Sequence, residues 1–284
     1  MANYLTVAEF LNAPTGLDVN NLVPGGNQAA QTAALLTDIS KASGWIDNEL
    51  NQTLIAAPFT ELSRARYSRD GSISFHPRQS PLNQLVSVSI GSNASDMFAV
   101  ASLTSSFIDE QNYVIPFSSC ALGWPFSLGG GAKFGRLLVS STTISGYPNT
   151  ILTSAPGIGA TSFQVASSAG FTPQLGSPCV DQAFTIYDGA STEVVNVTSV
   201  VGSTINCTAL TFAHTAGVCI SGLPADIKGV AVTVTVAYIR ERSSESIVMQ
   251  NTLQPTGMQT GWDAPRSAAL QSARQTLSSY RRIR

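Results

Sequence analysis

The chain has 284 residues, of which 43% are apolar and 11% are charged, and its formal net charge is −2. This composition excludes general disorder, because a disordered chain combines low hydrophobicity with high net charge. It also argues against a basic nucleic-acid-binding protein, whose affinity comes from clustered Lys and Arg. No window contains the roughly 18 consecutive apolar residues of a membrane span, so we expect no membrane partner.

Two helices are predicted in the N-terminal region. Thr6 and Glu9 have the spacing of a capping box, which places a short helix at residues 5–12. Residues 28–50 carry apolar side chains at steps of three and four, which predicts a long amphipathic helix that needs packing partners. Its charged residues are expected elsewhere on the cylinder: Asp38, Lys41 and Asp47.

The middle of the chain is predicted to be all-β. From about Arg64 the sequence changes to short apolar runs separated by Pro, Gly, Ser and Asn. Residues 85–90 alternate with period two, as expected for a strand with one buried face. Further strands are predicted at residues 113–117, 136–142, 162–166, 183–187, 193–200 and 204–210.

These patterns divide the chain into four segments. Residues 1–72 are predicted to hold the N-terminal helices, and residues 73–149 a β domain. Residues 150–223 have few charges and several short strands, which we interpret as an inserted β module. Residues 224–284 are expected to hold the C-terminal helices and a docking tail.

Residues 227–238 fit two different structures. Their valines alternate as in a strand, and valine favours β structure. Against this, Ile227, Val230 and Val234 also have helical spacing, and Pro224 suits a helix start. The residues alone leave both structures open.

The end of the chain is predicted to be a basic helix. Pro265 suits the first turn of a helix over residues 264–284. Residues 262–284 contain five arginines and one aspartate, so the segment is cationic. Because Trp262 and Tyr280 could serve as aromatic anchors, we interpret this tail as a segment that docks into a partner.

No catalytic residue, metal site or cofactor is predicted. His76 and His214 lie in no catalytic motif, and no nucleophile, base and orienting group can be assembled from the sequence. The cysteines have no C-x-x-C spacing and no neighbouring histidine, which predicts free thiols, or at most opportunistic pairing, rather than a metal site. They are Cys120, Cys179, Cys207 and Cys219. We therefore expect the protein not to be an enzyme.

Four arginines interrupt the charge-poor region where helices give way to strands. They are Arg64, Arg66, Arg69 and Arg78. One interpretation is a solvated linker. The other is an electrostatic contact with an acidic partner surface, because charges at the rim of an interface steer association.

Five stretches of the sequence carry a family resemblance. They are Tyr4-Leu-Thr-Val-Ala-Glu-Phe-Leu11, Ser43-Gly-Trp-Ile-Asp-Asn-Glu-Leu50, Ser80-Pro-Leu-Asn-Gln-Leu-Val-Ser-Val88, Leu223-Pro-Ala-Asp-Ile-Lys-Gly-Val-Ala231 and Leu277-Ser-Ser-Tyr-Arg-Arg282. With the order of helices and strands, they resemble the head–tail connector (adaptor) proteins of tailed bacteriophages. The inserted module is similar to a small β module of phage neck and tail proteins. That second likeness rests on Gly159-Ala-Thr-Ser-Phe-Gln-Val-Ala166 and Thr192-Glu-Val-Val-Asn-Val-Thr-Ser199.

The resemblance implies an α+β fold and a structural role. Helical N- and C-terminal segments would form a small helix bundle with a large all-β insertion between them, and residues 227–238 would be helical. The protein would form a homo-oligomeric, twelve-fold ring below the portal protein and contact the stopper or tail-completion protein. Double-stranded DNA would pass through without sequence-specific binding. The ring would belong to the virion neck and be assembled in the host cytoplasm.

The resemblance also assigns roles to two groups of residues. The portal-docking tail would comprise Trp262, Pro265, Arg266, Arg274, Tyr280, Arg281, Arg282 and Arg284. The long helix would pack between subunits through Leu35, Leu36, Ile39, Trp45 and Ile46.

An alternative function is a phage tail or capsid-surface binding module that recognises carbohydrate or a receptor through its β region. Sugar binding needs aromatic stacking platforms on an exposed sheet face. Phe171, Phe184 and Tyr187 are the local candidates.

Overall fold

The computed structural model describes residues 3–67, 72–109, 112–116, 137–171, 182–250 and 260–281. It is a mixed α+β protein with few helices and two curled antiparallel sheets, which confirms the α+β class. The chain divides into two compact units. We call them the helical unit (Met1–Thr53, Tyr187–Thr192, Leu223–Arg284) and the β unit (Leu54–Ile186, Glu193–Gly222). The division into four segments stays a prediction.

The helices lie in the helical unit. They are α1 (Val7–Asn12), α2 (Gln28–Leu50), α3 (Ala225–Gln250) and α4 (Thr260–Leu277). The structure confirms the two predicted N-terminal helices and the capping box of α1. Thr6 Oγ1 accepts from the Glu9 N–H at 3.2 Å, and Glu9 Oε2 accepts from the Thr6 N–H at 2.7 Å. These reciprocal bonds satisfy amides that the first turn of a helix leaves without partners.

α3 shows that the ambiguous segment is helical. Ile227, Val230 and Val234 are at most 5% exposed and lie on one face of the helix. Burial of this face outweighs the β propensity of the valines, because tertiary packing overrides a preference worth less than about 1 kcal/mol per residue.

Helix packing forms the core of the helical unit. α2 contacts α3, α3 contacts α4, and α1 lies against α2. The expected position of Asp38 is wrong, because the buried stripe of α2 includes polar positions as well as apolar ones. Asp38 is fully buried, and Lys41 Nζ lies 3.5 Å from its Oδ1.

The larger sheet of the β unit has seven antiparallel strands. They are β1 (Ala57–Tyr67), β2 (Ile73–Phe75), β3 (Leu82–Asn93), β4 (Asp96–Ala99), β5 (Phe107–Asp109), β6 (Asn112–Ile115) and β7 (Leu137–Ser145). Their order is β4-β3-β7-β1-β2-β6-β5. The start of β1 was not predicted, because its inward positions include the polar residues Glu61 and Ser63 and the apolar alternation is lost.

The smaller sheet has six strands. They are β8 (Asn149–Ile151), β9 (Ser162–Gln164), β10 (Gln182–Tyr187), β11 (Glu193–Val201), β12 (Thr204–Cys207) and β13 (Cys219–Ser221). Their order is β8-β13-β10-β11-β12-β9, and a bridge between Leu152 and Val165 joins the two ends of the sheet. The curled sheet encloses its own apolar core, which includes Phe163, Phe171 and Ile186.

Candidate interaction site

The described part of the predicted tail lies against the other helices of the helical unit. Arg274 on α4 donates to Glu49 Oε1 on α2, at 2.9 Å from Nε and 2.8 Å from Nη2. Its guanidinium carbon lies 5.7 Å from the ring centroid of Trp45. An ion pair and a cation–π contact therefore hold the same arginine side chain against α2.

A second set of contacts holds the end of the tail, through Tyr280, against the start of α3 and the residues after α2. The Tyr280 hydroxyl lies 2.9 and 3.1 Å from the two carboxylate oxygens of Asp226, at the start of α3. Gln52 Nε2 donates to the Tyr280 carbonyl at 3.1 Å. Ala273 and Leu277 are almost fully buried, so α4 is held by apolar packing as well as by polar contacts.

These contacts change what the tail residues can offer to a partner. Arg274 and Tyr280 are used within their own chain, whereas Arg281 is exposed beyond the end of α4. Trp262, Pro265 and Arg266 lie on α4, but the structure does not describe their side chains. Arg282 and Arg284 lie outside the described residues.

The apolar residues of α2 fall into two groups. Leu35, Ile39 and Ile46 are at most 1% exposed, so burial in the core of their own unit accounts for them without a neighbouring subunit. Leu36 is 45% exposed and Trp45 is partly exposed. Of the five predicted residues, these last two are the ones with accessible surface.

A buried ion pair that sequence analysis missed joins α1 to α3. Lys228 Nζ lies 2.6 Å from Glu9 Oε1, and the two side chains are 7% and 5% exposed. The ammonium group also lies 5.0 Å from the ring centroid of Tyr187. The one available signal was a lone lysine in the apolar run at the start of α3, but nothing in the sequence links that lysine to Glu9.

The ion pair lines a cleft of about 250 Å³ in the helical unit. Leu5, Ala13 and Val232 provide apolar walls. Gly229 lies on α3 at the same cleft, and a Cβ atom at this position would meet no atom within 4 Å. The packing of this chain therefore does not require glycine there.

A second interior contact ties the N-terminal segment to α2. The Tyr4 hydroxyl donates to Asp47 Oδ1 at 2.6 Å, and the Tyr4 N–H donates to Ser43 Oγ at 3.1 Å. Burial raises the pKa of Asp47, although hydrogen bonds from Tyr4 and Thr53 act in the opposite direction. This contact fixes the chain ahead of α1.

The four arginines of the predicted cluster do not form one group among the described residues. Arg64 and Arg66 are exposed on the outward face of β1. Arg78 instead contacts Glu61, whose side chain is buried on the inward face of β1. The backbone N–H of Arg78 donates to Glu61 Oε1 at 2.8 Å, and the Arg78 Nε lies 3.9 Å from Glu61 Oε2. Arg69 lies outside the described residues. The structure thus brings two of the four arginines together.

His214 and Glu193 form a structural clamp in the β unit. His214 Nε2 lies 2.7 Å from Glu193 Oε1, and the same carboxylate accepts from the N–H groups of Thr211 and Phe212 at 2.8 and 3.1 Å. Burial raises the pKa of Glu193, but the hydrogen bonds from Thr211, His214 and Phe212 outweigh it and lower the pKa overall. The His214 side chain is fully buried, so the clamp lies in the interior of the β unit.

Two cysteines and two phenylalanines of the β unit are also interior groups, and Cys120 and Cys179 lie outside the described residues. Cys207 and Cys219 are buried and form no disulfide with a described residue, and burial followed by the charge of Glu193 raises the pKa of Cys207 to about 11. Phe171 and Phe184 are buried with their ring centroids 4.8 Å apart. Neither is an exposed platform on which a sugar could stack.

Two further features are absent from the ranges of the chain that the structure describes. Within those ranges, no group of three or more His, Cys, Asp or Glu side chains could hold a metal ion. No helix in the same part of the chain is long and apolar enough to cross a membrane. Comparison with known proteins finds no matching family model, no similar curated protein and no similar solved structure.

Proposed function

We propose that this protein is a structural head–tail connector (adaptor) of a phage neck. It forms a twelve-fold homo-oligomeric ring below the portal protein, contacts the stopper or tail-completion protein on its other side, and lets double-stranded DNA pass. Its place is the virion neck, and it is assembled in the host cytoplasm. It works as a conduit and turns over no substrate.

The observation that carries this proposal is the meeting of both chain ends in one helical unit. α2 contacts α3, and α3 contacts α4, although the β region separates α2 from α3 in the sequence. This arrangement supports a small helix bundle with a large β insertion. Such a bundle suits a connector, because one rigid unit can carry both the ring contacts and the tail.

Residues of the helical unit have distinct parts in this function. We assign the subunit contact to exposed Leu36 and partly exposed Trp45, because the other apolar residues of α2 are buried within the unit. Portal docking falls to the basic end of the chain, where Arg281 is exposed beyond the end of α4. Arg274 and Tyr280 act as positioning residues, since they fasten α4 to Glu49 and Asp226.

Low charge supports the passage of DNA. A channel lined by clustered Lys and Arg would bind phosphates and slow the moving duplex. Only 11% of the residues of this chain are charged, and Arg274 and Lys228 are each paired with a carboxylate. A ring of this chain can therefore surround DNA without binding its phosphates tightly.

The proposal is tested by affinity capture from the lysate of infected cells. Three tagged proteins are captured and probed for portal protein: the full-length chain, an Arg281→Glu variant and an Arg240→Glu control. Both arginines are exposed in the structure. We expect the full chain and the control to retain portal-containing heads, and Arg281→Glu to retain several-fold less. Absence of portal protein from all three captures would overturn the connector proposal. Equal capture of portal protein by the two variants would overturn the assignment of Arg281 to portal docking.

A further inference from the structure

The outward face of the seven-stranded sheet carries a cationic and apolar patch. Side chains alternate between the two faces of a strand, and Leu62, Arg64 and Arg66 are the exposed residues at this end of β1. Leu62 is 47% exposed.

Strand register extends this patch across the sheet. Arg66 pairs with Ser74 on β2, Ser74 with Val114 on β6, and Val114 with Phe107 on β5. The row crosses four strands, which at about 4.8 Å per strand places Phe107 about 14 Å from Arg66. Phe107 is 43% exposed. We call Leu62, Arg64, Arg66 and Phe107 the arginine face.

The charge of the arginine face has no partner in the described chain. Arg64 and Arg66 form no ion pair with any described residue, whereas Arg274 and Lys228 each lie within 3 Å of a carboxylate oxygen. The two guanidinium groups are two residues apart on one strand, where their like charges repel. Carboxylates from another molecule would relieve this repulsion and could each accept two parallel hydrogen bonds from one arginine.

We propose that the arginine face binds a protein surface in which carboxylates lie between apolar side chains. Arginine and aromatic side chains together are typical of the residues that dominate protein–protein binding energy. Exposed Leu62 and Phe107 favour a protein over a nucleic acid, because they match apolar side chains of a protein and give no hydrogen bond to a phosphate. This contact is additional to portal docking by the tail, since it lies in the β unit.

Fluorescence anisotropy of the full-length protein tests the proposal. The probes are three labelled 12-residue peptides that alternate Glu with Leu, Glu with Ser, or Lys with Leu, and a short DNA duplex. We expect the Glu–Leu peptide to bind most tightly, with affinity that falls as salt rises, because the charged part of the contact is screened. Equal or tighter binding of the DNA or of the Lys–Leu peptide would contradict the proposal.

Variants separate the two parts of the arginine face. Arg64→Gln with Arg66→Gln should weaken the Glu–Leu peptide at least tenfold, while the control variant Arg240→Gln should leave it unchanged. Phe107→Ser should weaken the Glu–Leu peptide and leave the Glu–Ser peptide unaffected. Circular dichroism of each variant checks its fold. If the paired variant and its control bind alike, the arginine face is not the site.

Discussion

Lys228 Nζ on α3 lies 2.6 Å from Glu9 Oε1 on α1, with both side chains almost fully buried. The other oxygen of the same carboxylate accepts from the Thr6 N–H in the capping box. Glu9 thus begins one helix and neutralises a charge on another that lies far along the chain. This pair connects the two ends of the sequence within the helical unit.

Replacement of Lys228 by Met should destabilise the helical unit by about 3 kcal/mol, because it leaves the buried Glu9 carboxylate without its cation. Adding Glu9→Gln should recover part of the loss, since a glutamine removes the charge and still completes a capping box. Urea unfolding followed by circular dichroism at 222 nm measures both variants. Equal stability of Lys228→Met and the unmodified protein would show that the pair contributes nothing to folding.

Gly229→Ala should stabilise α3. Alanine is favoured over glycine in a helix interior by about 1 kcal/mol, and the added Cβ meets no atom within 4 Å. Thermal unfolding should therefore show a higher midpoint. Gly16→Ala is the contrasting control, because φ is +66° there and alanine is strained in that conformation. A lower midpoint for Gly229→Ala would mean that α3 packs more tightly than the structure indicates.

Acid should loosen the loop that Glu193 holds. The pKa of Glu193 is lower than its ordinary value of 4.5, so the carboxylate contributes stability above that value, and the contribution is lost as pH falls through the lower folded pKa. Protection of the Thr211 and Phe212 amides, measured as hydrogen exchange relative to the intrinsic rate at each pH, should fall below about pH 4.5, the ordinary value. Glu193→Gln should exchange faster at neutral pH and lose most of this pH dependence. An unchanged pH profile in that variant would exclude Glu193 as the titrating group.

Cys207 should be unreactive in the folded protein. Its pKa of about 11 leaves almost no thiolate at pH 8, and its side chain is buried. Mass spectrometry after treatment with iodoacetamide should find Cys207 alkylated only when denaturant is present. Alkylation under native conditions would mean that β12 opens readily.

How much the sequence predicts depends on the range of the interaction. The capping box of α1 and the 23-residue α2 are local patterns, and their positions follow from spacing alone. The sequence of α3 is ambiguous, because its valines alternate as in a strand while its apolar residues also have helical spacing. Only burial in the folded protein decides between the two structures. The start of β1 was missed because Glu61 occupies an inward position.

The candidate sites divide in the same way. Charge density pointed to Arg64 and Arg66, but only strand register shows that they share a face with Phe107. Spacing could not show that Arg274 pairs with Glu49, because residues from opposite chain ends leave no local signal. Helical periodicity likewise selected Leu35 and Leu36 together, although one is buried and the other exposed.

The most direct test of the connector proposal is the position of the protein in assembled particles. Tagged full-length chain is incorporated during infection, and purified particles are labelled with gold and imaged by negative-stain electron microscopy. The proposal predicts label at the junction of head and tail, in a ring below the portal. Label at the tail tip or on the capsid surface, or unlabelled particles that still contain intact necks, would contradict it.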